Sequence, residues 1–291
     1  MFDDVIIVDW SAAATPRLGK DSIWIAQATS RTGIVDHLVN CPTRAEARVW
    51  LVAAIDRLLG AGRRVMVGVD FSLGYPRGFA DLLNRAVGSL PADCSAAAIR
   101  RIICAHITDD ARNANNRFEV ANAINAASAT ALFWGRPAHR TELTALSPTH
   151  AVPNGLAPNP LERFRRTEVV SGQRLATNWQ LLGVGSVGSQ VLMGLPLIDE
   201  FVRRFDGAVW PFDSHRASSV VIAETWPGLF AVGAPDGEVR DAWQVRTTSQ
   251  RLAGLAEEEW EGLLSPPSLL AQPDDERAVV LREEGWMLGV R

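Results

Sequence analysis

The chain has 291 residues, of which 47% are hydrophobic and 21% are charged. This balance is typical of a globular protein that buries a full core, and it excludes a disordered or fibrous chain. The formal net charge of −4 argues against a protein that coats nucleic acid by bulk electrostatics, so any contact with nucleic acid is expected to be local.

Cysteine usage and the N-terminal residues bear on the compartment. Cys41, Cys94 and Cys104 are odd in number and form no CxxC pair, so the sequence predicts neither a disulfide framework nor a zinc knuckle. The first residues carry acids where a signal peptide needs basic residues, and no apolar run approaches the ~20 residues of a membrane span. We therefore expect a cytoplasmic protein without a membrane partner.

The first seventy residues predict four strands and one helix. The first strand is a β-branched run that ends on Asp9, and the fourth ends on Asp70. Thr43, followed three residues later by Glu46, is typical of a helix N-terminus. The predicted elements are strands 5–8, 22–27 and 34–39, a helix over 43–59 and a strand over 65–69. This β-β-β-α-β order differs from that of a Rossmann domain, which alternates strand and helix from the outset.

The middle of the chain lacks convincing strands. Residues 75–146 have a helical composition, and prolines at 148, 153, 158 and 160 interrupt the stretch that follows. A strand signal returns over 218–223 and ends on Glu224, and a helix over 239–255 follows and carries Asp241. The sequence thus predicts a core in two parts, 1–74 and 216–291, separated by a mainly helical insertion or cap over 75–215 that contains a glycine-rich segment.

Three separate apolar strands each end in a carboxylate, namely Asp9, Asp70 and Glu224. Ligands bind at the carboxyl ends of strands in open α/β sheets, so these acids are expected to converge, with Asp241 joining from the late helix. Clustered carboxylates repel one another unless a cation compensates, which predicts Mg²⁺ or Mn²⁺ held by all four acids. Such a site could hydrolyse a phosphodiester.

A simpler alternative exists for each acid taken singly. A strand-end Asp often accepts hydrogen bonds from the backbone of the turn that follows it. Ser11 and Ser72 each stand two residues after an acid, where they could satisfy that acid locally or contact substrate. We take both serines as candidates for substrate binding.

Four segments carry a resemblance to a known group. VDWSA, GVDFSLGYP, AETWP and RDAWQV resemble the signature segments of predicted ribonuclease H-like nucleases, over about residues 1–79 and 220–255. The resemblance implies a ribonuclease H-like mixed sheet flanked by helices, with Asp9, Asp70, Glu224 and Asp241 at the acidic positions. Ser72 departs from the pattern, since the larger group usually has Pro there. The central WQLLGVGSVGSQ resembles a narrower bacterial subgroup, some of whose members are labelled as cobalamin or molybdopterin biosynthesis proteins.

The glycine-rich segment 183–188 matches GxGxxG, but the residues before it are largely polar and do not form the hydrophobic strand that a dinucleotide site needs. Two interpretations stay open: small residues that let a helix pack closely on the sheet, or an anion site at a helix start. The anion-site candidates are Gly183, Gly185, Ser186, Gly188, Ser189 and Gln190.

Two further polar clusters invite a functional interpretation. Arg165 and Arg166 belong to the densest cationic cluster and are predicted to bind substrate phosphate, although a solvated helix face is the common alternative. The Asn-rich stretch 113–117, which includes Arg117, could cap the helix that follows it or contact a polar ligand, and capping is the favoured interpretation.

The leading hypothesis is a divalent-metal-dependent nuclease or phosphodiesterase that acts on a nucleic acid or a nucleotide-like phosphate substrate. One alternative keeps the fold but performs phosphoryl transfer or a step of cofactor biosynthesis on a small molecule. Another is a non-catalytic binding protein, because fold does not determine function. The acidic net charge and the predicted cap favour a small substrate over a long polynucleotide.

Overall fold

A mixed β-sheet forms the centre of the protein in a computed structural model that describes residues 1–30, 33–87, 95–172, 176–183, 186–231 and 233–291. The seven strands of this sheet run in the order β3-β2-β1-β4-β8-β7, with β9 also paired to β8. A separate two-stranded sheet contains β5 and β6. The strands are β1 Asp4–Asp9, β2 Ile23–Thr29, β3 Val35–Cys41, β4 Val65–Val69, β5 Thr130–Ala131, β6 Ala157–Pro158, β7 Ala208–Trp210, β8 Val220–Thr225 and β9 Met287–Leu288.

Helices cover both faces of the sheet. They are α1 Arg44–Gly60, α2 Phe79–Val87, α3 Ala96–His106, α4 Arg117–Ala127, α5 Arg166–Ser171, α6 Gly188–Phe205, α7 Pro227–Phe230, α8 Arg240–Ala253, α9 Glu257–Leu264, α10 Pro267–Leu270 and α11 Asp274–Val279, and a π-helical turn, Val280–Glu284, continues α11. The α/β class and the mixed sheet flanked by helices, both predicted from the sequence, are confirmed.

The predicted elements of the first seventy residues agree with the structure to within two residues at each end. Helix α1 begins after Thr43, whose side chain accepts a hydrogen bond from the Glu46 N–H, as the N-cap pattern predicts. Strand β7 differs from the prediction: it belongs to the main sheet, although it lies inside the stretch 75–215 predicted as an insertion. With only three residues it shows no alternation that a sequence pattern could reveal.

The strand pairing determines which ends meet. Strands β1, β2 and β3 pair antiparallel, whereas β1, β4 and β8 lie parallel to one another. Val8 of β1 pairs with Val69 of β4, and Val69 pairs in turn with Glu224 of β8. The carboxyl ends of β1, β4 and β8 therefore reach the same edge of the sheet.

The central strands are buried on both faces, which explains why they read as continuous apolar runs. Ile6 and Val8 pack into one core with α1 and α6, while Val5 and Ile7 pack into a second core with α8 and α9. Within the described parts of the chain, no helix combines the length and the apolar character that crossing a membrane requires.

Helix α6 approaches the sheet closely because it has a glycine where it meets β4. A Cβ atom added to Gly194 would lie 2.3 Å from the ring of Phe71, which follows β4 and is fully buried. Every other residue has a Cβ atom, so only glycine at position 194 allows this spacing between α6 and the sheet.

We predict that Gly194→Ala lowers the free energy of unfolding by about 1–3 kcal/mol, because overpacking a filled core costs more than the helix propensity that alanine adds. Gly262 in α9 is the matched control: it is exposed and no atom lies within 4 Å of its added Cβ. Gly262→Ala should therefore raise stability by about 0.5–1 kcal/mol. Urea unfolding of both variants measures the difference, and equal effects would contradict the close-packing role of Gly194.

Candidate active site

Acidic side chains from four segments line one cavity at the carboxyl edge of the sheet. The cavity has a volume of about 640 Å³. Asp9 ends β1, Asp70 follows β4, and Asp241 lies in the first turn of α8; all three line the cavity together with Asp21. The Asp21 N–H donates a hydrogen bond of 2.9 Å to Oδ2 of Asp241, which connects the β1–β2 turn to α8. Three of the four predicted acids are thus brought together.

Asp9 is half-buried, and its carboxylate accepts no hydrogen bond from any residue that the structure describes. Burial raises the pKa of Asp9 well above its ordinary value, and the charges of Asp70, Asp241 and Asp21 raise it further, while Arg240 offsets part of the effect. The ionised form of Asp9 is therefore disfavoured by the folded protein itself.

Asp70 is held in one orientation. Its Oδ1 atom accepts a 2.7 Å hydrogen bond from the Trp10 N–H, and its Oδ2 atom accepts one of 3.2 Å from Nε2 of Gln190. The same Gln190 nitrogen donates to the Trp10 carbonyl at 2.7 Å, so one side chain of α6 ties the ends of β1 and β4 together. Burial raises the pKa of Asp70 to about 7 despite these hydrogen bonds.

Glu224 is in a different environment from the other three acids. It is buried, and it does not line the 640 Å³ cavity; with Asp70 it lines a neighbouring space of about 90 Å³. Its oxygens accept hydrogen bonds of 2.8 and 2.6 Å from the guanidinium of Arg165, which also pairs with Glu168. Glu224 is therefore neutralised within the protein.

The register of the sheet explains this separation. Successive side chains of a strand point to opposite faces, and Glu224 is level with Val69 and Val8, on the face covered by α6. Asp9 is one residue beyond Val8, so it points to the opposite face, which α8 covers. An offset of one residue places Glu224 away from Asp9 and Asp241.

The two arginines predicted to bind phosphate have protein partners. Arg165 is 1% exposed. Burial lowers the pKa of Arg165, but the charges of Glu168 and Glu224 raise it by more, so the pKa is above its ordinary value. The Arg166 guanidinium donates to Gln272 at 2.7 Å, and Arg166 lines neither of the two spaces at the sheet edge. The sequence could not reveal the main partner of Arg165, because Glu224 is 59 residues away.

The predicted serines also donate to the protein. The Ser11 hydroxyl lies in the cavity wall and donates to the Asp21 carbonyl at 3.2 Å. The Ser72 hydroxyl is buried and donates to Oδ1 of Asn178 at 2.9 Å. Neither hydroxyl donates to the acid two residues before it, so these contacts do not support the local role expected for the serines.

Residues of the glycine-rich segment and of the helix start support different interpretations, one of close packing and one of an anion site. Gly188 has a structural role, because a Cβ there would lie 2.3 Å from the Asn178 carbonyl oxygen, and its N–H donates to the Gln180 carbonyl. Gly185 lies outside the described residues. The segment residues that line the cavity beside the acids are Gly183, Ser186, Ser189 and Gln190.

Sequence reasoning missed two residues of the cavity wall. Asp21 lies in the turn between β1 and β2, and its position has no strand or helix signal to mark it. Arg117, predicted to belong to a helix cap, is buried in the same wall and donates from Nε to the Ser189 hydroxyl at 2.9 Å. Only the folded chain brings these residues to the cavity.

The acid cluster suits a divalent cation in its chemistry. Carboxylate oxygens are the ligands that Mg²⁺ and Mn²⁺ prefer, and burial together with the charges of Asp70, Asp241 and Asp21 raises the pKa of Asp9. Across the described ranges, however, no three acidic, histidine or cysteine side chains are spaced to hold an ion. Cation binding would therefore require the carboxylates to draw closer together.

Comparisons with protein-family models, with curated proteins and with solved structures gave no match for this chain. The geometry of the cavity is therefore the basis for assigning a function.

We predict that Asp9→Asn stabilises the protein in EDTA at pH 8, by on the order of 1 kcal/mol or roughly 2–4 °C in melting temperature. The pKa of Asp9 is raised on folding, so the native state loses stability as the pH rises from about 4 through the folded pKa. Asparagine removes this loss, and the gain should be smaller at pH 5. Thermal unfolding at both pH values measures it.

Asp236→Asn serves as the control, because Asp236 is exposed and accepts no hydrogen bond from the described residues. It should leave the melting temperature unchanged. If Asp9→Asn left the stability unchanged or lowered it at pH 8, the charge cluster at Asp9 would be disproved.

A further prediction concerns the buried ion pairs of Arg165 with Glu168 and Glu224. Arg165→Met should cost about 3–5 kcal/mol, because it leaves the carboxylates of Glu168 and Glu224 buried without a counterion. The control Arg277→Met breaks a surface pair with Asp274 and should cost no more than about 1 kcal/mol. Equal unfolding free energies for the two variants, measured in urea, would contradict the assigned role of Arg165.

Proposed function

We propose that this chain is a divalent-metal-dependent phosphodiester hydrolase, built on a ribonuclease H-like fold, that acts in the cytoplasm on a nucleotide-sized phosphate substrate. The observation that carries the proposal is the convergence of Asp9, Asp70 and Asp241, from three distant segments, on one cavity where none of them forms an ion pair with a described residue.

The topology supports the choice of fold. Three antiparallel strands are followed, across α1, by β4 parallel to β1, which is the order that the sequence resemblance implies. Asp9 and Asp70 follow paired residues at the ends of β1 and β4, so they lie where the resemblance expects its acidic positions. Glu224 is the exception, because Arg165 already pairs with it.

The cavity residues have distinct roles in this proposal. Asp9, Asp70 and Asp241 provide the oxygen ligands for Mg²⁺ or Mn²⁺. When bound, such a cation would activate a water molecule and stabilise the leaving oxygen of a phosphodiester. Gln190 and the Trp10 N–H keep the Asp70 carboxylate oriented. Glu224 acts as a buried partner of Arg165 and not as a ligand.

The size of the cavity favours a small substrate over a long polynucleotide. A volume of about 640 Å³ lies within the roughly 300–1,000 Å³ of small-molecule sites. This observation also supports the second candidate function, an enzyme that transfers a phosphoryl group to or from a small molecule. Transfer and hydrolysis differ in whether water is the acceptor, so the products distinguish them.

The proposal is tested by calorimetric titration with Mg²⁺ and Mn²⁺ and by hydrolysis of bis(p-nitrophenyl) phosphate and of a dinucleotide. Wild-type protein should bind the cation and hydrolyse both esters, and Asp9→Asn should weaken cation binding at least tenfold, or about 1.4 kcal/mol. Asp236→Asn should behave as wild type. Wild-type protein that binds neither cation would overturn the proposal.

A further inference from the structure

Arg117 differs from the other buried arginines of the described chain. Four arginines are at most 8% exposed, and three of them pair with carboxylates: Arg44 with Asp109, Arg100 with Asp199, and Arg165 with Glu168 and Glu224. Arg117 forms no ion pair with any described residue, although it is as buried as Arg100. A buried charge without a counterion is costly, so its retention calls for an explanation.

The contacts of Arg117 orient its guanidinium without neutralising it. Nε donates to the Ser189 hydroxyl at 2.9 Å and Nη1 donates to Oδ1 of Asn115 at 2.7 Å, and both acceptors are neutral. The guanidinium also stacks over the ring of Phe118, with its central carbon 4.3 Å from the ring centroid. The Ser189 hydroxyl donates in turn to the Leu181 carbonyl, which fixes the acceptor in place.

The surroundings of Arg117 do not fully compensate the positive charge of its guanidinium. Burial lowers the pKa of Arg117 to about 10, and the charge of Arg44 lowers it further, while Glu119 and Asp109 offset part of this. An anion bound beside Arg117 would relieve that deficit.

The position of Arg117 determines where such an anion would bind. Arg117 and Ser189 line the 640 Å³ cavity together with Gly183 and Ser186, which precede α6 in the chain. The Gly188 N–H donates to the Gln180 carbonyl, whereas the next N–H groups in the first turn of this 18-residue helix lack acceptors within the helix and favour negative charge. A helix start and a buried, unpaired arginine therefore border one wall of the cavity.

We propose that Arg117, held in place by the Ser189 hydroxyl, and the first turn of α6 form an anion site that anchors a phosphoryl group of the substrate. The substrate role rests on the proposed function, whereas the anion site itself needs no metal. The acids Asp9, Asp70 and Asp241 in the same cavity repel an anion, so this positive wall determines at which part of the cavity a phosphate is held. Arginine suits this role because its planar donors match phosphate oxygens.

The experiment is a calorimetric titration of the full chain with inorganic phosphate in EDTA, with acetate at equal ionic strength as the second arm. Phosphate should bind wild-type protein and raise its melting temperature, and acetate should bind at least tenfold more weakly. Arg117→Met should lose at least tenfold in phosphate affinity. Arg117→Lys keeps the charge but not the planar donors, and should lose less than Arg117→Met does.

Arg100→Met is the matched control, because Arg100 is equally buried but is paired with Asp199 and does not line the cavity. It should lower stability and leave phosphate affinity unchanged. No phosphate binding by wild-type protein, or equal affinity in wild type and Arg117→Lys and Arg117→Met, would overturn the proposal. If Arg117→Met does not fold, wild type and Arg117→Lys still decide the outcome.

The conditions separate this inference from the proposed function. EDTA removes divalent cations, so phosphate binding tests Arg117 without a cation at the acid cluster. Phosphate binding without cation binding or hydrolysis would support the anion site and overturn the hydrolase. Hydrolysis that is insensitive to Arg117→Lys, with no phosphate binding in EDTA, would do the reverse.

Discussion

The parallel alignment of β1, β4 and β8 is the constraint on which the rest of the structure depends. These strands are buried on both faces, so their pairing is specified by apolar packing against helices on either side. The same pairing brings the strand ends to one edge, where Asp9 and Asp70 follow the paired residues Val8 and Val69. Hydrophobic burial of the sheet therefore stabilises a fold that also holds like charges close together.

The protein treats the charges at this edge in two ways. Glu224 and Glu168 share the buried guanidinium of Arg165, so that group of charges is compensated within the fold. Asp9, Asp70 and Asp241 form no ion pair with a described residue, and burial together with the charges of Asp70, Asp241 and Asp21 raises the pKa of Asp9. Arg117 presents the opposite case in the same cavity, a buried cation without an anion. These acids and this arginine, in one cavity, are the basis for the proposed binding of a divalent cation and of a phosphate.

Helix α6 connects these features. Its close approach to the sheet through Gly194 places Gln190 where it bonds to both Asp70 and Trp10, and places Ser189 against Arg117. Packing and chemistry are coupled along this helix: the glycine that fits against Phe71 lies four residues from the side chain that orients Asp70. A change in helix position would therefore alter both walls of the cavity at once.

The sequence by itself determined the strands and helix of the first seventy residues, because β-branched runs, the Thr43 N-cap and the acids after each strand are local signals. It also predicted that Asp9, Asp70, Glu224 and Asp241 would converge; parallel strands bring Asp9 and Asp70 to one edge, and Asp241 of α8 lines the same cavity. Tertiary structure alone decided the rest. A register offset of one residue turned Glu224 to the other face, and Arg165 found it across 59 residues. Arg117 and Asp21 line the cavity because segments distant along the chain pack together. Such packing leaves no periodic pattern in the sequence.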